Sequence, residues 1–256
     1  MERLRFASAQ DLRKRIETEF IVPQTIHPVV QAIADGQATM DQLRGFCRQM
    51  WAIPKYNFAV AGGKISQLQP LIDDPHGMGV PYDEKIQKHF LHIVVDEAGT
   101  EIFGNAAPTS GHCELYLRFA EALGIRRDEM ERVDIFLPQV VVALDSWVRM
   151  AREMPLIESA VGMNWINETR MSRMGILIEK ALKKHYGLPE RATEFWYAHG
   201  EQDKEHSSIG PYLVETYATT PEIQEWVWMA AKRGVGIWLI ILDATWAEYF
   251  SDAKKT

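Results

Sequence analysis

Apolar residues recur at helical spacing along almost the whole of this chain, and no other feature narrows its possible folds as much. Between residues 39 and 66, Leu43, Phe46, Cys47, Met50, Trp51 and Phe58 keep to one face of a helix. Thr39 and Gln42 open that segment at capping-box spacing, each side chain placed to satisfy a backbone N–H at the helix start. No hairpin turn of the Asn-Gly or Asp-Gly kind joins two alternating runs, and sustained apolar–polar alternation is missing. The expectation is an all-α fold.

The same pattern predicts short helices over 9–20 and 25–35, with Gly36 closing the second, and a long helix over 39–66. A loop over 67–82, rich in proline and glycine, leads to a helix over 83–98 and then a connection over 99–111. The next helix runs from His112 to Leu123, with Gly124 suited to its C-terminal cap. Long helices are expected over 128–151, 156–186 and 190–217, the second of them stopped by Gly187-Leu188-Pro189. Thr220 as N-cap and Pro221 at the first position open the last helix. No repeat, low-complexity tract or linker divides the chain, so one domain over 1–256 is predicted.

Composition excludes several classes of function. The net charge of −7, with no basic run, argues against nucleic acid as the main partner. Cys47 and Cys113 are the only cysteines and form no CxxC pair, which suits a reducing compartment without a zinc–thiolate site. The N-terminus lacks the apolar core of a signal peptide, and the longest uncharged stretch near the other end, 234–242, is too short to span a bilayer. A cytoplasmic protein is expected.

The chemistry-bearing residues concentrate in His199-x3-Asp203-x2-His206. At about 100° per residue, positions 0, +4 and +7 fall within roughly 60° of one another, so two imidazoles and a carboxylate leave one helix face. A first-row transition metal accepts such a set, but one helix cannot complete a six-coordinate site. His112, opening its helix, is a further candidate, and a carboxylate from Glu97 or Glu101 could meet it at the helix junction. Glu168 stands in a mostly apolar or small-residue stretch, Gly162-Met-Asn-Trp-Ile-Asn-Glu-Thr169, with no other acid nearby.

The order of these motifs resembles the haem-oxygenase-like di-metal oxidases, relatives of the thiaminase-like and pyrroloquinoline-quinone-synthase-like helical proteins. The resemblance covers nearly the whole chain. It includes His27-Pro28 and Gly36, Leu43-x2-Phe46 with Tyr56, Asp96-Glu-Ala-Gly99, His112-x-Glu-Leu115 and Phe119-Ala-x-Ala-Leu-Gly124. The run Tyr197-Ala-His-x3-Asp-x2-His-Ser207 is its most specific element. The resemblance implies a haem-oxygenase-like helical bundle and a ligand set of Glu97, His112, Glu168, His199, Asp203 and His206. It also implies a homodimer, and the tryptophan-bearing last helix, apolar on more than one face, is either central to the core or shared with a second subunit.

What the resemblance implies chemically is a non-haem di-iron oxidase. Two Fe(II) ions would react with O2, through a peroxo-di-iron oxidant, on a small amine or amino-acid-derived metabolite, with an external electron donor possible. Three carboxylates offset most of the charge of two divalent ions. Tyr56, Tyr116, Tyr197 and Trp196 either line the pocket or belong to an aromatic core. Cys47 and Cys113 lack the context of the thiaminase-like nucleophile. The rival expectations are a metal-free quinone-synthase-like or ligand-binding protein, and a hydrolase with one zinc on the 199–206 motif.

Overall fold

The computed structural model describes residues 6–22, 26–67, 83–99 and 110–251, without the side chains of 201–205. Helix α1 (Ala9–Ile16), capped by Ser8, continues into a π-helical turn, Glu17–Ile21. Helix α2 (Pro28–Ala34) has His27 as its N-cap. Helix α3 (Met40–Met50) starts on the expected capping box: Gln42 N donates to Thr39 Oγ1 at 3.2 Å, and Thr39 N donates to Gln42 Oε1 at 2.8 Å. There follow α4 (Ala52–Ser66), α5 (Glu84–Ala98), α6 (His112–Ala122), α7 (Arg127–Glu131) and α8 (Pro138–Glu153). A continuous run joins α9 (Leu156–Ser159), a π-helical stretch (Ala160–Glu168) and α10 (Thr169–Tyr186). The described chain ends with α11 (Glu190–His206), α12 (Ile209–Tyr217), α13 (Pro221–Thr245) and a π-helical turn, Trp246–Phe250. Among the described residues no strand forms, and a lone antiparallel bridge pairs Gly99 with Ser110.

Three of the long helices expected from periodicity are divided, and proline accounts for each division. A proline brings no N–H, and its ring collides with the carbonyl four residues back. Pro54 therefore ends the winding at Met50, and α4 restarts with Pro54 in its first turn, so the expected 39–66 helix is two. Pro138 occupies the opening turn of α8, and the expected 128–151 helix becomes α7 and α8. Pro211 does the same to 190–217: α11 ends at His206 and α12 begins at Ile209. The 156–186 helix is continuous but winds wide over its middle, where Asn167 Nδ2 donates to Gly162 O at 2.7 Å.

Two apolar clusters surround this wide central run. One gathers Phe46, Tyr116, Phe119, Trp196 and Trp238 from α3, α6, α11 and α13. The other gathers Leu12, Phe90, Ile166, Leu213 and Trp228 from α1, α5, the π-helical stretch, α12 and α13. Helix α13 thus serves both, with Trp228 and Trp238 buried, and that explains its apolar character on more than one face. Each such side chain contributes about 1.5–3 kcal/mol by leaving water.

Two close approaches position the helices that carry the polar centre. Gly175 of α10 lies against α11, where an added Cβ would sit 2.6 Å from Trp196 O and 3.0 Å from Gly200 N. Gly111, just before α6, is pressed against the end of α5, and a Cβ there would sit 2.6 Å from both Ala98 O and Glu97 O. No helix among the described residues is long and apolar enough to cross a membrane.

Candidate metal centre

The polar centre is built from α4, α5, α6, the end of the π-helical stretch and α11. Glu97 stands at the end of α5 and His112 starts α6, and the two helix ends meet. Gly99 leaves α5 at φ 89°, a conformation that side chains disfavour, and it bridges to Ser110, just before α6. His112 then opens α6 with its Nδ1 3.1 Å from Glu97 Oε1. Asn57 Nδ2, from α4, donates to the same carboxylate oxygen. Glu97 and His112 are both buried.

Helix α11 adds His199 directly beside them. Its ring centroid is 4.4 Å from that of His112 and 4.1 Å from that of Phe195. The Nδ1 of His199 lies 2.9 Å from Phe195 O, a carbonyl that can only accept, so Nδ1 carries the proton and Nε2 keeps a lone pair. Burial first, then the neighbouring His112, pushes the His199 imidazole down to about 3, so the ring is neutral at ordinary pH. A neutral, oriented imidazole is a competent metal ligand.

His206 closes α11. Its Nε2 lies 2.9 Å from Asp96 Oδ2, and its backbone carbonyl, at a helix end, is met by His89 Nε2 at 3.0 Å. Burial works to lower the His206 imidazole, but the Asp96, Glu168 and Glu97 carboxylates outweigh it and hold it above its ordinary value. On Glu97, burial acts upward and is outweighed by the imidazoles of His112, His199 and His206, so its carboxyl lies below the usual range.

Glu168 occupies the last position of the π-helical stretch. Asn164 Nδ2 donates to its Oε1 at 2.6 Å, while Lys64 Nζ donates to Asn164 Oδ1 at 2.8 Å. Glu168 Oε2 is buried and has no hydrogen-bond partner among the described residues. Burial, helped by the Glu97 charge, raises the Glu168 carboxyl despite His206 and Lys64. Lys64 is itself buried, and burial lowers its ammonium to about 8.

The structure therefore brings together Glu97, His112 and His199, with Glu168 and His206 near enough for their charges to act on one another. The side chain of Asp203 and the whole of Glu101 lie outside the described residues. Among the described residues, no group of three or more His, Cys, Asp or Glu side chains already converges as a metal site. The donors nevertheless suit a cation of the iron type: nitrogen and oxygen only, anionic enough to offset its charge, with one carboxylate oxygen that has no partner among the described residues.

Several contributors escaped the sequence reading. Asp96, Asn57, Lys64, Asn164 and His89 all hold members of the centre. A signal existed for two of them, because His89-x2-His92-x3-Asp96 is the 199–206 spacing reversed, on one face of α5. His92 Nε2 indeed lies 3.4 Å from Asp96 Oδ2. Tyr116 and Trp196 are fully buried in the aromatic cluster, whereas Tyr197 is exposed. Cys113 is pushed up to about 11, by burial and then by Glu97, and burial raises Cys47 further still. Neither thiol is an activated nucleophile.

Comparison with known proteins agrees with this architecture. The model of a family described as iron-containing redox enzymes matches residues 72–238. A pyrroloquinoline-quinone synthase of Granulibacter bethesdensis is 24% identical over 227 residues, covering 88% of this chain and 80% of that protein. Its counterpart in Acinetobacter baumannii is 26% identical over 134 residues, which span 52% of this chain and only 46% of that relative. Among solved structures, a TenA homologue from Pseudomonas syringae pv. tomato superposes with TM-score 0.71 at 10% identity, covering 96% of this chain and 98% of the other. A Shewanella denitrificans protein of unknown function with a heme oxygenase-like fold gives TM-score 0.65 at 17% identity, covering 94% and 90%. The chain has the haem-oxygenase-like fold and belongs to the iron-containing redox enzyme family.

Proposed function

We propose that this protein is a non-haem di-iron oxidase that uses O2 on a small amine or amino-acid-derived metabolite. Glu97, His112, Glu168, His199, Asp203 and His206 would hold the metal. The observation that carries the reading is buried, neutral His199 beside His112 and within reach of the Glu97 charge, with a buried oxygen of neighbouring Glu168 that meets no donor among the described residues. Burying such an anionic oxygen without a partner is costly, and a bound cation removes the cost. When bound, iron would supply the one-electron chemistry that O2 activation needs.

The residues of the chain account for the rest. Phe195 O fixes the tautomer of His199, and Asp96 fixes the ring of His206. Asn57 and Asn164 orient Glu97 and Glu168 through their amides. Lys64, reached through Asn164, balances part of the carboxylate charge. Phe195 lies against His199, with Tyr116 and Trp196 packed edge-on against Phe195, and this aromatic wall excludes water from that side.

The test is anaerobic loading with Fe(II), determination of iron per chain, and measurement of O2 uptake in the presence of candidate amines. About two irons per chain, with both iron and O2 uptake lost in His199→Ala, is the expected result. The likeness to pyrroloquinoline-quinone synthases supports a second reading, oxidation of a quinone precursor without metal. O2 uptake by iron-free protein would favour that reading and exclude the first.

A further inference from the structure

Two residues beyond Glu168, the central helix carries a second pair of charges, turned away from the polar centre. Arg170 and Arg173 of α10 line a cavity of about 260 Å³ between α10, α13 and the chain around α1 and α2. Its walls are largely apolar, with Phe20, Ile26, Leu177 and Leu239 among them. The other polar groups on the wall are already engaged. Glu19 pairs with Arg15 at 2.6 Å, and His27 uses Nδ1 for Val29 N and Nε2 for Asp243 Oδ1. Arg173 gives one N–H to Ile21 O at 2.9 Å, a neutral acceptor that leaves its charge in place.

Arg170 is the unexplained group. Its Nε is buried and has no hydrogen-bond partner among the described residues. A guanidinium with a buried, unpartnered Nε, beside a second arginine on the same largely apolar wall, suits an anion. Guanidinium forks bind planar carboxylates through paired N–H donors, and the apolar walls favour an aliphatic tail. A cavity of this size admits a short tail only.

We propose that this cavity binds a small organic anion, a carboxylate on a short aliphatic chain, at a site separate from the metal centre. The carboxylate meets Arg170 and Arg173, and the tail lies against Phe20, Leu177 and Leu239. Inorganic phosphate would satisfy the guanidiniums but gain nothing from those walls.

Calorimetric titration of the metal-free full chain with butanoate, hexanoate and inorganic phosphate tests the site. Hexanoate should bind saturably, with affinity rising about three- to fourfold per added methylene from butanoate. Arg170→Met should weaken hexanoate at least tenfold. Leu239→Trp, which fills the cavity and keeps both charges, should do the same and serves if circular dichroism shows Arg170→Met unfolded. Binding should persist in His199→Ala, because the metal centre is elsewhere. The proposal is overturned if wild-type protein shows no saturable binding, or if folded variants bind hexanoate as the wild type does. Phosphate binding as tightly as hexanoate would exclude the carboxylate class, and loss of binding in His199→Ala would move the anion to the metal centre.

Discussion

Asp96 and His206 meet across α5 and α11, carboxylate oxygen to imidazole Nε2, at 2.9 Å. With Nε2 so engaged, the His206 ring is held in one orientation against α5. His199 is held instead through Nδ1, by Phe195 O of its own helix. One helix therefore carries two imidazoles, each oriented by its own outer partner.

Asp96→Ala is expected to weaken iron binding 10- to 100-fold while leaving the helical content intact. Iron retention against a graded chelator series measures this. Unchanged retention would show that His206 needs no orientation by Asp96.

Glu97→Ala and Glu101→Ala separate the two carboxylates that sequence offered for His112. Glu97 is seated against His112, so its loss should release iron, and the Glu101 variant is expected to load as the wild type does. Metal analysis of the two purified variants decides between them.

Asn164 bonds to both Lys64 and Glu168, and Asn164→Ala leaves a buried ammonium and a buried carboxylate oxygen without those bonds. The metal-free protein should lose roughly 2–4 kcal/mol of stability in urea unfolding. A loss below about 0.5 kcal/mol would mean that neither bond holds in solution.

Acid should act on the metal-free protein through His89. Burial lowers this imidazole to about 4, below its unfolded value of about 6.5. Between those values the unfolded chain binds the extra proton, so this contribution to stability is present above pH ~6.5 and lost as pH falls toward ~4. Urea midpoints across that range should drop less steeply in His89→Gln, whose longer amide can still reach His206 O. Equal slopes in the two proteins would remove His89 as the cause.

Gly175→Ala tests the seating of α11. The added carbon would meet Trp196 O at 2.6 Å, a backbone atom that cannot turn aside. A stability loss of roughly 1–3 kcal/mol is expected, with reduced iron content because His199 and His206 ride on the displaced helix. Thermal melts and metal analysis read the two effects independently.

The helices were legible because periodicity is local, as the Thr39–Gln42 capping box and the Thr220-Pro221 start both illustrate. Breaks within helices were legible in principle, since Pro54, Pro138 and Pro211 stand in plain view, but apolar periodicity runs across them and concealed the interruptions. The wide winding of Ala160–Glu168 had no such marker. At the centre, the 199–206 spacing was visible because one helix carries it. The meeting of Glu97 with His112 depends on the Gly99–Ser110 bridge, a pairing between segments that spacing alone does not reveal. Asn57 and Lys64 come from α4, and no local pattern connects α4 to α5 or α11.

The wide winding before Glu168 also bears on which length changes this protein can tolerate. A helix that spends extra residues per turn stores slack, and removing one residue lets it relax to ordinary pitch. A deletion between Ala160 and Asn167 is thus compatible with an unbroken rod. Made between Asn164 and Glu168, it would also swing Glu168 about a quarter-turn around the axis, away from Asn164. The extra residue is therefore dispensable to the rod but not to the direction in which this carboxylate leaves it.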